Sequence, residues 1–269
     1  MSEHWSGERW PMEPIGDIRS PYREGFGIPR QSGIVPAATG VLVPRPAWQQ
    51  PAAWQGIETF SHLWLVWLFH AKRRMAPGDR PTVRPPRLGG NRRVGVFASR
   101  SPVRPNPVGL SVVRLIDVTE RDGAVRLHLG GIDLLDGTPV LDVKPHVPYA
   151  DCPPDSRGGW ASAAPERLAV IWGGAEDWLE RLDGATVALI EQSLAQDPRP
   201  AFHDDPERVY GMRIEDIDVR FVVREHRAEI VEIVPATDRQ VRQSSWERGS
   251  RESSSTTASR AGRPSKSTR

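Results

Sequence analysis

Six prolines, at 81, 85, 86, 102, 105 and 107, limit what this chain can fold into across a quarter-hundred residues near its middle. Proline fixes φ and has no N–H to donate, so neither a helix nor a central strand can run through these positions. The stretch must form stiff loops. It is also strongly basic. From 72 to 104, ten bases (Lys72, Arg73, Arg74, Arg80, Arg84, Arg87, Arg92, Arg93, Arg100 and Arg104) stand against one acid, Asp79. Arginine on a rigid loop makes a preorganised anion surface, because its guanidinium stays charged and forks onto carboxylate or phosphate oxygens. The chain as a whole carries only +2, and residues 238–269 hold eight bases and three acids, so the rest is mildly acidic. The basic loops therefore stand out from their own body, and they carry the argument for a nucleic-acid partner better than the sequence pI near 9.0 does.

Around these loops, from Ile15 to about Tyr149, short apolar runs are punctuated by Gly, Pro and Asp. Strands are expected at 33–43, 63–69, 94–98, 110–118, 124–135 and 139–143, which reads as an all-β barrel over 13–150. Asp136-Gly137 is expected to form a two-residue type I′ hairpin turn, which needs positive φ at both central positions, and Arg121-Asp122-Gly123 marks another turn. Residues 151–166, rich in Pro, Gly, Ser and Ala, read as a linker. A small α+β unit is expected over 167–236. It would hold a strand at 168–172, one helix over 175–196 or two broken at Asp183-Gly184, and strands at 209–214, 218–224 and 229–234. The first twelve residues read as a flexible N-terminus and 237–269 as a disordered basic tail, whose few apolar residues cannot offset the entropy of ordering.

The single cysteine, Cys152, excludes an intramolecular disulfide framework, and the seven histidines show no metal-ligand spacing, so no metal is expected. The N-terminus has acids and tryptophans where a signal peptide needs an apolar run. The longest apolar run, 63–69, is too short to span a bilayer, and the expected location is the cytoplasm with no membrane partner. His62, among Phe60, Leu63 and Trp64, reads as a core or hairpin histidine. No GxGxxG follows a strand, so a Rossmann methyltransferase is not expected.

Three long segments, PTVRPPRLGGN (81–91), VFASRSPVRPNPVGLS (96–111) and DLLDGTPVLDVKP (133–145), resemble successive signatures of the TrmO, or TsaA-like, family of tRNA threonylcarbamoyladenosine methyltransferases. IGDIRSPY (15–22), IPRQ (28–31), FSHLWLVWLFH (60–70) and LAQDPRPAF (194–202) extend the similarity over about 13–235. The resemblance implies a mainly β fold, a TsaA-like β-barrel with a small α+β C-terminal domain. It implies S-adenosylmethionine as methyl donor, the exocyclic amine of threonylcarbamoyladenosine at tRNA position 37 as acceptor, and a homodimer with the donor cleft near its interface. Two rival readings stay open: an RNA-binding barrel without catalysis, and a barrel methyltransferase with another acceptor.

By the same resemblance the donor pocket draws on Pro29, Arg30, Gln31, Ser32, Gly33, His70, Ala71, Arg100, Leu110, Gly130, Gly131, Ile132 and Asp133. Arg30 and Arg100 suit the methionine carboxylate, Gln31 and backbone near Gly130 suit adenine or ribose, and Leu110 suits the adenine face. A purely structural reading makes Gly130-Gly131 a bulge and Leu110 core. Arg100, Asn106 and Asp133 are the candidate catalytic residues. The acceptor amine belongs to a urea, so its lone pair is delocalised and its proton must leave; Asp133, Asp136, Asp142 and His70 are candidate acceptors, with Asp136 already explained by its turn. Arg84, Arg87, Arg92, Arg93, Arg104 and Lys144 are candidate tRNA contacts, and Lys144 or the arginines could pair with the threonyl carboxylate. Asp197-Pro198-Arg199 reads as a helix end stopped by Pro198.

Overall fold

Period-two alternation builds the first half of the chain. In HLWLVWL, Leu63, Leu65 and Trp67 point inward and are buried, while His62, Trp64, Val66 and Leu68 face out. The computed structural model describes residues 11–88, 92–200, 203 and 205–236. It contains β1 (Gly16–Arg19), β2 (Thr39–Pro44), β3 (His62–Leu68), β4 (Thr82–Val83), β5 (Val94–Gly95), β6 (Val108–Arg121), β7 (Ala124–Gly130) and β8 (Pro139–Pro145). Six of these close into an antiparallel barrel in the order β1-β2-β7-β6-β3-β8, sealed where Gly16 of β1 pairs with Val140 of β8. Strands β4 and β5 make a separate two-stranded ladder inside the proline-rich excursion. Closure removes the edges that would otherwise invite pairing with other chains.

The strand boundaries differ from those expected, for local backbone reasons. β2 starts at Thr39 rather than 33, because Gly33 is left-handed at φ +78° and the following residues turn. β7 stops at Gly130 because Gly131 takes φ +72°. Only Val94–Gly95 of 94–98 is strand; Val96–Ala98 coils into a 3-10 turn. β1, four residues long, is too short to show a periodicity in sequence. The type I′ geometry falls at Asp122-Gly123, with φ 53° and 74°, and joins β6 to β7. At Asp136-Gly137 only the glycine has positive φ, so that turn is of another type and is closed by Thr138 N–H to Leu135 O at 3.1 Å. His62 is exposed on the outer wall, 3.0 Å from Ser61 Oγ, and not in the core.

Past α1 (Pro148–Asp151), β9 (Ala169–Ile171) is followed by a 3-10 turn and α2 (Gly184–Ala195). The expected break is real: Asp183 caps α2 by accepting from the N–H groups of Ala185 and Thr186. The chain then forms β10 (Tyr210–Ile214), β11 (Ile217–Arg224) and β12 (Arg227–Pro235), giving a sheet ordered β10-β11-β12-β9 with β9 parallel to β12. This sheet and the barrel share one hydrophobic core. Tyr22 bridges Ile214, its hydroxyl lies 3.2 Å from Ser193 Oγ, and burial raises its pKa so that it stays neutral. The expected flexible N-terminus, over residues 1–10, and the expected basic tail, 237–269, lie outside the described residues. Among the described residues no helix is long and apolar enough to cross a membrane.

Candidate donor and acceptor site at one barrel rim

An antiparallel barrel sends alternate connections to opposite ends, and here one end receives three of them. The β1–β2 loop (20–38), the β3–β6 excursion (69–107) and the β7–β8 loop (131–138) all leave the same rim. These loops carry Pro29 to Gly33, His70 and Ala71, Arg100 to Asn106, and Gly131 to Asp133 respectively. Topology thus collects residues separated by a hundred positions.

The contacts within this rim are specific. Gly33 N–H donates to Gly131 O at 2.8 Å, and a Cβ at Gly131 would meet Gly33 Cα at 3.0 Å, so two left-handed glycines hold the two loops in backbone contact. Space opens on the Cβ side of Gly33. Arg100 donates to Gln31 Oε1, and Ile132 N–H donates to Ala38 O at 3.1 Å. Pro29 is buried, Gln31 and Ser32 are half-buried, and His70 and Ala71 are exposed at the end of β3.

Asp133 is the chemical centre of the rim. Ser111, on the inward face of β6 and 1% exposed, donates its hydroxyl to Asp133 Oδ1 at 2.6 Å, and Trp67 Nε1 donates to Ser111 Oγ at 3.0 Å. Burial pushes the Asp133 carboxyl up to about 6; the Ser111 hydroxyl, its own N–H, the Arg100 charge and the Ser32 N–H each pull it down without cancelling that effect. A carboxylate with that affinity can take a proton near neutral pH. The Trp67 ring that starts this relay fills the space beside Gly109, where a Cβ would lie 2.3 Å from the ring.

The proline-rich excursion is tied down by its own bonds. Arg74 donates to Pro105 O and, at 3.4 Å, to Asn106 Oδ1; Met75 N–H donates to Arg104 O at 3.1 Å and Phe69 N–H to Pro107 O at 2.8 Å. Arg104 donates to Ser99 O at 3.3 Å and is half-buried, which makes it a brace of this loop rather than an open phosphate contact. Arg84, Arg92 and Arg93 are exposed, and Arg93 donates to Thr82 Oγ1 at 3.1 Å. The side chain of Arg87 lies outside what is described.

Several expected members stand apart. Arg30, exposed in the β1–β2 loop, donates to the carbonyls of Asp197 and Arg199, at 3.3 and 2.9 Å, fastening the loop after α2. Leu110 lies 58% exposed on the outer wall, so it is not core, and that wall separates it from inward-facing Ser111. Lys144 sits towards the opposite rim and pairs with Asp142 at 3.0 Å. Asp136 pairs with Arg23 and accepts from Ser20 N–H at 2.9 Å, a structural tie that occupies its carboxylate. A cleft of about 640 Å³ opens beside Arg19, Thr39, Ile116 and His128 and reaches Ser20 and Asp136 of the rim loops. Sequence reasoning missed Ser111, Trp67 and Arg74. A serine at an inward position of an apolar strand was the available signal for the first.

The rim fits an S-adenosylmethionine donor by the chemistry of its groups: a guanidinium at Arg100 for a carboxylate, a carboxylate at Asp133 for cationic charge, and a glycine backbone open for close approach. Known proteins agree. The sequence matches the family models for the tRNA-methyltransferase O N-terminal domain over 17–152 and the TrmO C-terminal domain over 165–236. A tRNA (adenine(37)-N6)-methyltransferase of Escherichia coli is 44% identical over 231 residues, covering 83% of this chain and 97% of that protein. A Pseudomonas aeruginosa relative whose name carries "S-adenosylmethionine-dependent methyltransferase" is 51% identical over 216 residues, 78% of this chain and 91% of its own. The crystal structure of TrmO from Pseudomonas aeruginosa superposes with a TM-score of 0.68 at 41% identity, covering 85% of this chain and all of that one. Barrel, rim loops and C-terminal sheet together place this chain in the TrmO family of S-adenosylmethionine-dependent tRNA methyltransferases.

Proposed function

We propose that this protein methylates N6 of adenine 37 in tRNA that already carries threonylcarbamoyladenosine, with S-adenosylmethionine as donor. The observation that carries the reading is the convergence of Arg100, Gln31, Ser111 and Asp133 at one rim. The donor supplies an electrophilic methyl group when bound. Arg100 would hold its carboxylate, with Gln31 fixing the guanidinium, and the Gly33–Gly131 backbone would receive its adenosine half. Displacement at a sulfonium demands an in-line arrangement, so rigid placement of both partners supplies most of the rate. Asp133, besides facing the donor's positive charge, would have a second task. When the amine nitrogen takes the methyl group it must give up its proton, and the Asp133 carboxylate would accept that proton.

Asn106, held by Arg74 on a loop of three prolines, would orient the modified base. The exposed Arg84, Arg92 and Arg93 would neutralise tRNA phosphates. The tRNA anticodon region is a cytoplasmic substrate, which suits a chain with one free, exposed cysteine. A homodimer belongs to this reading, supported by Leu110 and Ile116, 58% and 47% exposed on the barrel's outer wall. The deciding experiment is mass spectrometry of tRNA nucleosides from a strain lacking the gene. Loss of methylated threonylcarbamoyladenosine with the unmethylated form accumulating is the expected result; an unchanged profile would remove this acceptor. Titration calorimetry with S-adenosylmethionine separates both methyltransferase readings from a non-catalytic RNA-binding barrel.

A further inference from the structure

Phe97 is 78% exposed, on a loop that holds it still. It sits in the 3-10 turn Val96–Ala98, whose Val96 is 2% exposed and whose end is closed by Ser99, N–H and hydroxyl both donating to Val96 O at 3.2 and 2.8 Å. Val96 N–H is tied in turn to Pro81 O at 3.0 Å. A fixed backbone cannot fold the ring away, so the ring stays in water in the unbound protein, and nothing in barrel stability requires it. A second aromatic residue has been brought to the same place. Trp160, in the segment between barrel and C-terminal sheet, donates its indole N–H to Ala98 O at 3.1 Å while remaining 37% exposed.

The charge around these rings says what they meet. Arg80, Arg84, Arg92, Arg93 and Arg100 are exposed on the same excursion, and the sequence from 80 to 104 contains no acid. The β4–β5 ladder pairs Val83 with Val94 and so brings the backbones beside Arg84 and Arg93 together, and desolvation, then the like charges of Arg84 and Arg80, lower the pKa of Arg93. A concentrated positive field around a bare aromatic face is complementary to a polyanion that exposes flat rings. Duplex RNA hides its base faces in the stack; a loop displays them.

We propose that Phe97, with Trp160 beside it, is a stacking platform for an unpaired base of the RNA loop, while the arginines of the excursion hold the phosphates on either side. This rests on the tRNA reading above and deepens it. Stacking tolerates any base because each has a π-face, so the platform would recognise that the loop is open rather than what it spells. Acceptance of several tRNA species would follow.

The test uses the full chain and a tRNA anticodon stem-loop carrying 2-aminopurine in its loop, whose fluorescence falls on stacking, with a blunt RNA duplex as control. Phe97→Ala should weaken stem-loop binding roughly five- to a hundred-fold. It should abolish the fluorescence change, leave duplex binding and S-adenosylmethionine affinity at parent values, and leave the melting temperature unmoved; Phe97→Trp should retain the quench. Arg84→Ala with Arg93→Ala should weaken stem-loop and duplex alike. Parent-like stem-loop binding by Phe97→Ala would overturn the platform, as would equal losses on both RNAs. Unchanged RNA binding with a smaller sedimenting species would assign the ring to contact between two copies of the chain and also overturn it. A parent protein that binds neither RNA would overturn the tRNA reading itself, which separates the two failures.

Discussion

Ser111 Oγ lies 2.6 Å from Asp133 Oδ1, and the direction of that hydrogen bond is fixed. Trp67 N–H already donates to the same hydroxyl, so the hydroxyl's one proton goes to the carboxylate. The bond favours the charged form of Asp133, yet burial dominates and leaves the group titrating near 6. If Asp133 accepts the amine proton, methylation should fall away below about pH 6. Ser111→Ala removes a contact that lowers this value and should move the acid limb up by about one unit, the size of one charge-assisted bond. Ser111→Thr should restore it. Rate–pH profiles at saturating tRNA and donor check this, and coincident profiles for all three proteins would remove Ser111 from the chemistry.

The same carboxylate should cost stability. Its carboxyl titrates near 6 when folded against an ordinary 3.8, so between those values the folded chain holds the extra proton. Stability therefore falls as pH rises through that window and stays reduced above it. Asp133→Asn should then stabilise the protein at pH 7 by roughly 1–3 kcal/mol while abolishing methylation, and should show little gain at pH 4. Urea unfolding at the two pH values measures the difference. An equal effect at both would mean that burial of charge is not the cause.

Arg100 and Arg30 should separate cleanly. Arg100→Ala is expected to weaken S-adenosylmethionine binding by about thirty-fold or more, the loss of a charge-assisted carboxylate contact, with a parent-like melting temperature. Arg30 instead holds two carbonyls of the loop after α2. Arg30→Ala should lower the melting temperature and weaken donor binding less. Calorimetry and thermal unfolding on both variants decide, and the reverse pattern would exchange the two roles.

Gly109 tests the packing behind the site. A methyl group there would lie 2.3 Å from the Trp67 ring, which must move and take its hydrogen bond to Ser111 with it. Gly109→Ala should destabilise by about 1–3 kcal/mol and shift the acid limb in the same direction as Ser111→Ala. Destabilisation with an unmoved profile would uncouple Trp67 from Asp133.

How far the sequence reached depended on the range of the interactions involved. The long strands were legible because alternation in HLWLVWL or AVRLHLG is a local consequence of one face meeting a core. β1 was not, since its four residues acquire strand character only from β2 and β8 on either side. The type I′ assignment went to the wrong Asp-Gly: both pairs have the right chemistry, but only Asp122-Gly123 joins two paired strands. Among site residues, Arg100, Gln31 and Asp133 came from the motif resemblance, and the fold brings them to one rim. Arg30 also came from the resemblance and Lys144 from its charge, and neither signal says which neighbouring groups the side chain meets. Ser111 is ordinary in sequence and matters only because strand register points it inward at a carboxylate 22 residues further along the chain, in a barrel that had to close first.

The seal between Gly16 and Val140 sets a timetable for synthesis. Gln31 emerges from the ribosome early, Arg100 much later and Asp133 later still, and the last wall strand follows immediately behind Asp133. A nascent chain shorter than about 145 residues can own most of the rim's side chains and still have no rim. Methyl-donor capture therefore requires β8, so that a fragment ending before Pro139 should fail to retain radiolabelled S-adenosylmethionine that the full chain retains.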